Sequence, residues 1–434
     1  MADEIEKRGS KTYRINFCFG DWLFWRGKRS RSYRGSLLEW PKYLSRFIQT
    51  YAVTDVVYYQ DRFPYHAAAL ELCRTLGVQC YTYEFGYLRP DWITLERDGM
   101  GAYSLIPSSP EAIRALAIDA GPVEREVIYP YPFWLEAVGE VIYNLSNLFV
   151  PWGYLRFDRD KFYNPLAEYL SILPRLLLSG RKNKAANMII EDVVESGSRF
   201  FVFPLQLQSD YQLRYNSRFI HLGEAIDLVL ESFAKAAPKA VRLVFKIHPL
   251  DNGIEPWVKL IKKAAKKYGV KRRIHVIDGG NLVDLLEKAS GAIMVNSTTG
   301  LHALRLGCPV KILGIAVFDM KGITYQQSLD EFWVSPTPPD QKLLTKFERV
   351  LAATSQVRGN FYTKEGRKAA ASIAADRLLD GSDKSFGSFS KEPPRLKQAR
   401  KMGIPISFLE QITTRDRGGR VRSSWKVEKS DQEI

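Results

Sequence analysis

Residues 273–314, RIHVIDGGNLVDLLEKASGAIMVNSTTGLHALRLGCPVKILG, decide the fold class of this chain. Three short apolar runs alternate with two stretches in which apolar residues recur at helical spacing, which indicates strand–helix–strand–helix–strand. The same alternation begins near residue 198, and the predicted strands are RFFVFPLQ, RLVFKIHPL, RIHVID, GAIMVNS and PVKILG. Strands that alternate with helices form parallel sheets with right-handed crossovers. We therefore predict a doubly wound, Rossmann-like α/β domain over residues 196–380.

The beginning of the chain has the same rhythm, with strands YRINFCF, VTDVVYYQ and VQCYTYE separated by amphipathic helices. This pattern predicts a first Rossmann-like domain over residues 1–130. Two such domains that face each other across a cleft form the GT-B-like architecture of many nucleotide-sugar glycosyltransferases. Residues 2–9 read as the second half of a helix that leads directly into a strand. Two interpretations stand: this domain lacks its first strand, or the chain begins with a short frayed helix.

Two segments break this rhythm. Residues 131–195 are helical, rich in aromatic residues and end in a basic cluster. They are interpreted either as a helical layer packed between the domains or as a docking surface for a membrane or lipid acceptor. Residues 381–434 are rich in Ser, Gly and charged residues and have little periodicity, which predicts a flexible basic tail.

The composition limits the partners of this 434-residue chain. A net charge of +15 attracts nucleic acid, anionic lipid or anionic substrates, and the absence of helix-turn-helix, zinc-finger and RNP signatures argues against nucleic acid. Four scattered cysteines without a CxxC or Cys/His cluster predict neither a metal site nor disulfides. No signal peptide or membrane-spanning apolar run is visible. We expect a cytoplasmic protein, soluble or held on an anionic membrane surface.

Two strand exits carry residues suited to an anion. In KIHPLDNG (246–253), Lys246 and His248 point to the same side of a strand that ends at a proline. In VNSTTGLH (295–302), a strand leads through Asn296, Ser297 and Thr298 into a helix. Hydroxyls and backbone N–H groups at a helix N-terminus bind phosphate, although an ordinary Ser/Thr cap needs one hydroxyl only. Both stretches therefore predict a phosphate site, with a structural histidine and a simple cap as the alternatives.

Two further exits carry amides and acids. FPLQLQSDYQ (203–212) places Gln206, Gln208 and Asp210 after a strand, where amides and a carboxylate suit sugar hydroxyls. YEFGYLRPDW (83–92) places Glu84, Arg89 and Asp91 around a turn at Gly86. This second stretch is interpreted either as the wall of an active site or as a turn in which Arg89 pairs with Asp91 or Glu96.

These stretches together resemble a known family. NFCFGDWLFW, YEFGYLRPDWITLE, FPLQLQSDYQ, KIHPLDNG and NSTTGLHAL are similar to motifs of the capsule polysaccharide biosynthesis and export proteins of the KpsS type. That family is related to the KpsC-type retaining β-Kdo transferases. The resemblance implies transfer of Kdo from the donor substrate CMP-Kdo to (lyso)phosphatidylglycerol, without a cofactor or metal. It further implies a peripheral location on the cytoplasmic face of the inner membrane and partners in a capsule synthesis and export complex.

The resemblance also implies roles for individual residues. His248, Ser297 and Thr298 match positions expected to hold the CMP phosphate. In KpsC-type proteins the strand exit reads Glu-Asp-Gly-Phe and its second acid acts as nucleophile, whereas this chain has Phe85 at that position. Glu84, Asp91 and Asp210 remain as candidate catalytic carboxylates, and Arg89 is expected to bind the Kdo carboxylate or a lipid phosphate. The alternative is a non-catalytic scaffold that passes capsule glycolipid to an export transporter.

Overall fold

The structure is a computed structural model that describes residues 1–25, 27 and 29–414. Its strands are β1 Arg14–Asn16, β2 Ser30–Ser32, β3 Asp55–Tyr59, β4 Gln79–Phe85, β5 Trp92–Arg97, β6 Phe200–Pro204, β7 Arg242–Lys246, β8 Ile274–Ile277, β9 Gly291–Met294, β10 Val310–Ile312 and β11 Gln356–Arg358. Its helices are α1 Ala2–Lys7, α2 Phe19–Phe24, α3 Trp40–Tyr51, α4 Pro64–Leu76, α5 Pro110–Leu116, α6 Phe133–Phe149, α7 Pro165–Leu177, α8 Ser179–Glu195, α9 Tyr211–Tyr215, α10 Leu222–Ala236, α11 Trp257–Lys267, α12 Leu282–Lys288, α13 Thr299–Arg305, α14 Leu329–Phe332, α15 Gln341–Ala353, α16 Lys364–Asp380 and α17 Leu396–Lys401.

The chain forms two compact units. Unit 1 comprises Met1–Pro107, Leu116–Asp160 and Glu348–Pro394, and unit 2 comprises Ser108–Ala115, Lys161–Phe347 and the chain from Arg395 onwards. The predicted boundaries differ from these units. α16, which lies inside the predicted second domain, belongs to unit 1 because β11 pairs with β5 and α16 packs beside it. The predicted helical segment 131–195 is divided, with α6 in unit 1 and α7 and α8 in unit 2.

Unit 2 contains the parallel sheet that the sequence predicts. All five predicted strands are present, in the order β10-β9-β6-β7-β8, and every neighbouring pair is parallel. Strands of such sheets are covered on both faces, which explains their continuous apolar sequences. The side chains of Phe201, Phe203, Phe245 and Ile293 are fully buried in one hydrophobic core. This packed core fixes the positions of the strand ends, and therefore the positions of the polar residues that follow them.

Unit 1 is built around a mixed sheet rather than a wholly parallel one. Its order is β11-β5-β4-β3, and only β3 and β4 are parallel. The sequence analysis missed β5, which returns antiparallel to β4. Gly86 makes this hairpin possible, because a Cβ atom there would lie 2.4 Å from the backbone oxygen of Trp92. The Gly86 N–H donates to that same oxygen at 2.8 Å.

The N-terminal strand prediction is wrong in extent and in partner. β1 ends at Asn16 and pairs with β2 in a separate two-stranded parallel sheet. The residues predicted as the rest of that strand start helix α2, because the sulfur of Cys18 accepts from the N–H of Asp21 and caps it. α1 is tied to α16 by an ion pair of 2.7 Å between Arg8 and Asp376.

The predicted flexible tail is wrong for its described part. α17 follows Arg395, whose buried guanidinium donates to the carbonyl oxygens of Ala316 and Val317. Ala399 and Ile404 are also buried. A chain segment with these anchors in unit 2 is part of its packed structure. The rest of the predicted tail, 415–434, lies outside the described residues.

Candidate functional site

The carboxyl edge of the unit 2 sheet contains its topological switch point. From β6 the chain continues to β7 on one side, and from β9 it continues to β10 on the other. Open α/β sheets bind ligands in the crevice outside the strand ends at such a point. The two segments that leave this crevice are 205–210 and 295–299. They contain most of the residues that the sequence analysis selected in this half of the chain.

Three of those residues form one hydrogen-bonded network across the switch point. Gln206 accepts from the backbone N–H of Asn296 at 3.1 Å and donates to the Asn296 side-chain oxygen at 3.0 Å. The Gln206 amide also lies 3.4 Å from a carboxylate oxygen of Asp210. Asn296 in turn donates to the carbonyl oxygens of Gln212 and Asn216. The network locks the two segments together, so it positions the crevice as well as lining it.

Gln208 has a structural role that differs from the predicted sugar contact. Its side-chain oxygen accepts from the N–H of Leu222 at 2.7 Å, and its amide donates to the carbonyl of Ile220 at 3.1 Å. Both ends of the buried amide therefore hold the start of α10. Asp210 similarly caps α9 through the N–H of Gln212. The sequence pattern selected these residues but could not show which of them support helices.

Lys246 provides a buried positive charge at the end of β7. Its ammonium group donates to the carbonyl of Gly279 at 2.7 Å, and burial lowers its pKa. An ammonium group has three N–H donors. In the described part of the chain, one of them is used for Gly279. The side chain is thus held at the sheet edge with donors left for an anion.

His248 lies in the loop that follows, and its hydrogen bonding fixes its tautomer. The Nδ1 atom accepts from the backbone N–H of Leu250 at 3.1 Å. In the neutral ring the proton is therefore on Nε2, which makes Nε2 a donor. A donor at this atom is what the sequence analysis expected of a phosphate contact.

Ser297 and Thr298 occupy the predicted position before α13. The Ser297 hydroxyl accepts from the N–H of Thr299 at 3.2 Å and donates to the Thr299 hydroxyl at 3.0 Å. Thr298 is the N-cap residue, and its side chain makes no cap hydrogen bond. The Ser297 bonds close a local turn with Thr299, whereas the Thr298 side chain makes no cap hydrogen bond and is suited to a ligand contact. The structure thus separates two hydroxyls that the sequence treats alike.

An ion-pair cluster beside this edge was missed by the sequence analysis. The Arg175 guanidinium and the Lys182 ammonium contact the two oxygens of Asp278 at 2.9 Å and 2.7 Å. Arg175 also lies 3.8 Å from Asp251, whose pKa is raised by burial. Asp278 directly follows β8, so the cluster fastens α7 and α8 to the loops at the sheet edge. The basic residues at 175–184 were the available signal.

In unit 1, Glu84 lies next to a residue that the sequence analysis did not select. The Gln60 amide lies 3.3 Å from a carboxylate oxygen of Glu84, across the parallel ends of β3 and β4. Gln60 has φ +56°, a left-handed conformation that is uncommon for residues other than glycine. Such conformations concentrate at functional sites. The sequence feature that could have identified Gln60 is the polar run directly after the apolar strand β3. The same feature selected the candidate residues that follow the other strands.

Asp91 has a structural role through one of its carboxylate oxygens, while the other oxygen is buried without a hydrogen-bond partner among the described residues. One oxygen of this buried carboxylate accepts from the N–H groups of Ile128 and Tyr129, the latter at 2.7 Å. The Asp91 carbonyl accepts from the N–H of Gly359 at 3.0 Å. Asp91 therefore joins three chain segments of unit 1.

Arg89 does not form the ion pair with Asp91 or Glu96 that was the alternative to a ligand contact. Its guanidinium lies over the ring of Phe85, 4.7 Å from the ring centre, and the side chain is exposed. Phe85 also packs against Phe361 and Tyr362, and the centres of the Tyr362 and Tyr131 rings lie 4.6 Å apart with the rings tilted by 43°. Successive side chains of a strand point to opposite faces, so Phe85 lies on the other face of β4 from Glu84. The position at which KpsC-type motifs have an acid is thus occupied by the Phe85 ring, and the Arg89 guanidinium lies over that ring.

A buried histidine beneath Gln60 predicts an acid-sensitive fold. His66 stacks on Tyr58, donates to the Gln60 carbonyl at 2.8 Å, and has a pKa lowered to about 4 by burial. The unfolded chain binds a proton near pH 6.5 and the folded chain only near pH 4, so stability is lost as the pH falls through this window. As the pH falls from 7.5 to 4, we expect His66 to lower the free energy of unfolding by about 3 kcal/mol.

Urea unfolding across this pH range is the corresponding measurement, with His66→Gln as the comparison. That variant should be less stable at pH 7.5, but the part of the acid dependence due to residue 66 should disappear. An unchanged acid dependence in His66→Gln would contradict the assignment.

No helix among the described residues is both long and apolar enough to cross a membrane. Over 1–25, 27 and 29–414, no group of three or more His, Cys, Asp or Glu side chains could hold a metal ion. The cysteines Cys18, Cys73, Cys80 and Cys308 are all buried and free.

Comparison with known proteins identifies similar chains. A family model described as capsule polysaccharide biosynthesis protein matches residues 54–362. The capsule polysaccharide export protein KpsS of Escherichia coli is 29% identical over 83% of this chain and 93% of its own. The capsule polysaccharide modification protein LipB of Neisseria meningitidis serogroup A is 30% identical over 84% of this chain and 88% of its own. Among solved structures, the β-Kdo 2,7 transferase KpsC of Thermosulfurimonas dismutans is 14% identical, covers 86% of this chain and 99% of its own, and has a TM-score of 0.42.

Proposed function

We propose a glycosyltransferase function for this chain, which belongs to the capsule polysaccharide biosynthesis protein family. The enzyme would move Kdo from CMP-Kdo to a (lyso)phosphatidylglycerol-type lipid, with retention of configuration. The reaction would start the linker of a capsule at the cytoplasmic face of the inner membrane. The identity of the sugar and of the acceptor rests on the motif resemblance to KpsS- and KpsC-type proteins. The export and modification proteins that the chain is similar to support a capsule role in general.

One observation carries the donor part of the proposal. At the carboxyl edge of the unit 2 sheet, Lys246 is the last residue of β7 and His248 lies two residues beyond it, so an ammonium group and an N–H donor come from the same strand end. Both are suited to the phosphate of a CMP-sugar, since cations and N–H donors bind phosphate oxygens. The Gln206–Asn296 pair fixes the neighbouring crevice. We assign Lys246, His248 and Thr298 to phosphate binding.

The catalytic part is assigned to Glu84. Retention by double displacement needs a carboxylate that attacks the anomeric carbon, with the phosphate leaving on CMP. One oxygen of Asp91 accepts from backbone N–H groups, and Asp210 caps α9, so both carboxylates have structural roles. Glu84 lies at the end of β4 and is positioned by Gln60. Arg89, exposed on Phe85, is assigned to an anionic group of the acceptor.

A second function is favoured by one specific observation. Phe85 takes the place of the acid expected from KpsC-type motifs, and it packs into an aromatic cluster with Phe361. A chain without a nucleophile would act as a scaffold that binds capsule glycolipid and passes it to an export transporter. Such a protein would bind the glycolipid without consuming CMP-Kdo.

The donor assignment predicts selective stabilisation by CMP-sugars. At a CMP-Kdo concentration 100 times Kd, binding adds about 2.7 kcal/mol to the stability of the folded state. For a unit of this size we expect a rise in Tm of roughly 5–10 °C. UDP-N-acetylglucosamine serves as the control in the same thermal melt, and CMP-N-acetylneuraminate tests the choice of sugar. Equal shifts with all three nucleotides, or none with CMP-Kdo, would contradict the assignment.

A further inference from the structure

Helix α6 of unit 1 exposes its apolar face to solvent and packs its polar face against the protein. Apolar side chains recur at helical spacing along one face, yet that face is open to solvent. The exposed fractions are 61% for Trp134, 48% for Val138, 46% for Ile142 and 60% for Phe149. Surface helices of globular proteins normally turn this face to the core. We refer to these four residues as the α6 stripe.

The opposite, polar face of α6 is the one that packs inward. Asn144 and Asn147 are buried, and the Asn147 side chain accepts from the N–H of Gly20 at 2.7 Å. The Tyr143 hydroxyl donates to Asp21 at 3.1 Å. A Cβ atom at Gly20 would lie 2.6 Å from the Tyr143 ring, so α2 approaches α6 very closely on this side. These contacts fix the rotation of α6 and hold its apolar face outward.

Neighbouring aromatic residues extend the exposed surface. Phe24 at the end of α2 is 58% exposed, and its ring lies 6.3 Å from that of Tyr143. Trp152, just after α6, is 72% exposed. Tryptophan and phenylalanine are typical of helices that lie in the membrane interface. An apolar surface of this composition needs a partner that accepts aromatic side chains.

The charge beside the α6 stripe indicates whether its partner is an anionic membrane or an uncharged protein surface. The sequence RGKRSRSYR (26–34), which begins two residues after the end of α2, has five basic residues, and the chain has no acidic residue between Asp21 and Glu39. One of the five, Arg29, pairs with Glu6 at 2.6 Å. Arg31 and Arg34 are exposed. Basic clusters beside an interfacial aromatic surface attract anionic lipid headgroups. The arrangement therefore favours an anionic bilayer over an uncharged protein surface.

We propose that the α6 stripe, with Phe24 and Trp152, inserts into the interface of an anionic phospholipid membrane, and that the exposed Arg31 and Arg34 bind its headgroups. The proposal deepens the proposed function, on which it rests for the lipid acceptor, by naming the surface that meets the membrane. It does not depend on any step of catalysis, so binding and transfer are measured separately.

The test is sedimentation of the full-length protein with vesicles. Vesicles of phosphatidylethanolamine and phosphatidylglycerol should bind the wild type, and phosphatidylcholine vesicles should bind it about tenfold more weakly at low salt. Trp134→Ser combined with Ile142→Ser should lower binding to the anionic vesicles about tenfold or more. Ile118→Ser is the matched control, because Ile118 is an apolar residue of unit 1 outside α6 that is even more exposed, at 80%. This substitution should have no effect on vesicle binding. Arg31→Gln with Arg34→Gln should weaken binding and reduce its salt dependence.

Three results would overturn the proposal. The first is equal vesicle binding by the wild type and the stripe variant. The second is the absence of tryptophan quenching when wild-type protein meets brominated anionic lipid, a measurement that needs no variant. The third is self-association of the wild type that the stripe substitutions abolish without vesicle binding, which would make a second copy the occupant. Transfer of Kdo to a short-chain, water-soluble acceptor should be as fast in the stripe variant as in the wild type. If the wild type showed no such transfer, that result would count against the proposed function and not against the membrane surface.

Discussion

His248→Asn is expected to lower kcat/KM for CMP-Kdo about ten- to hundredfold and to leave folding intact. The asparagine side-chain oxygen can replace Nδ1 as acceptor from the Leu250 N–H. The donor at the Nε2 position is lost, and with it a hydrogen bond to a charged phosphate, worth about 1.5–3 kcal/mol. Steady-state kinetics together with direct CMP binding measure this effect. The affinity for CMP should fall by a similar factor, because the contact is to the phosphate.

The neighbouring variants make this result specific. His248→Gln keeps a donor near the Nε2 position but loses the acceptor for Leu250, so it should retain more affinity for CMP than His248→Asn. His275→Asn changes a histidine of β8 and should have no effect on the affinity. Full CMP affinity in His248→Asn would remove the residue from the donor site.

Glu84→Gln is expected to lower kcat by roughly a thousandfold or more, because an amide cannot attack the anomeric carbon. The substitution keeps the shape of the side chain and its contact with Gln60. CMP affinity should stay unchanged, since the assigned phosphate contacts are in unit 2. A single-turnover assay with radiolabelled CMP-Kdo measures the chemical step.

Two other carboxylates serve as controls for that result. Asp91→Asn should act mainly on stability, because a buried oxygen that accepts from Ile128 and Tyr129 is weakened as an acceptor. Asp210→Asn should weaken the cap of α9. If Asp210→Asn abolished turnover while Glu84→Gln retained it, Asp210 would be the nucleophile and our assignment would be wrong.

The unit 2 fold could be predicted from sequence because its signals are local. The strands are continuous apolar runs, and helices such as α11 have strongly periodic apolar residues. The unit 1 sheet could not be predicted in the same way. β11 has three residues and pairs with β5 across more than 250 positions, so its partner is not encoded in any local window. The first predicted strand, residues 13–19, was extended too far because Phe17, Cys18 and Phe19 are apolar, whereas Cys18 caps α2 and Phe19 begins it.

The candidate site was located by a single rule, that polar residues directly after buried strands lie at a ligand-binding edge. The rule selected Lys246, His248 and Asn296, which stay predictions, and it would have selected Gln60 had it been applied to β3. It could not reveal that the partners of Asp91 are backbone N–H groups almost forty residues away. Roles that depend on such distant partners become visible only when the chain is folded.

Transfer of Kdo in vitro tests the central claim most directly. The protein would be incubated with CMP-Kdo and a fluorescent lysophosphatidylglycerol, beside His248→Asn and Glu84→Gln, and the products identified by mass spectrometry. We predict a product that gains Kdo with the wild type and is strongly reduced with both variants. Binding of the lipid without any product, under conditions in which an established Kdo transferase is active, would contradict the transferase and favour the scaffold.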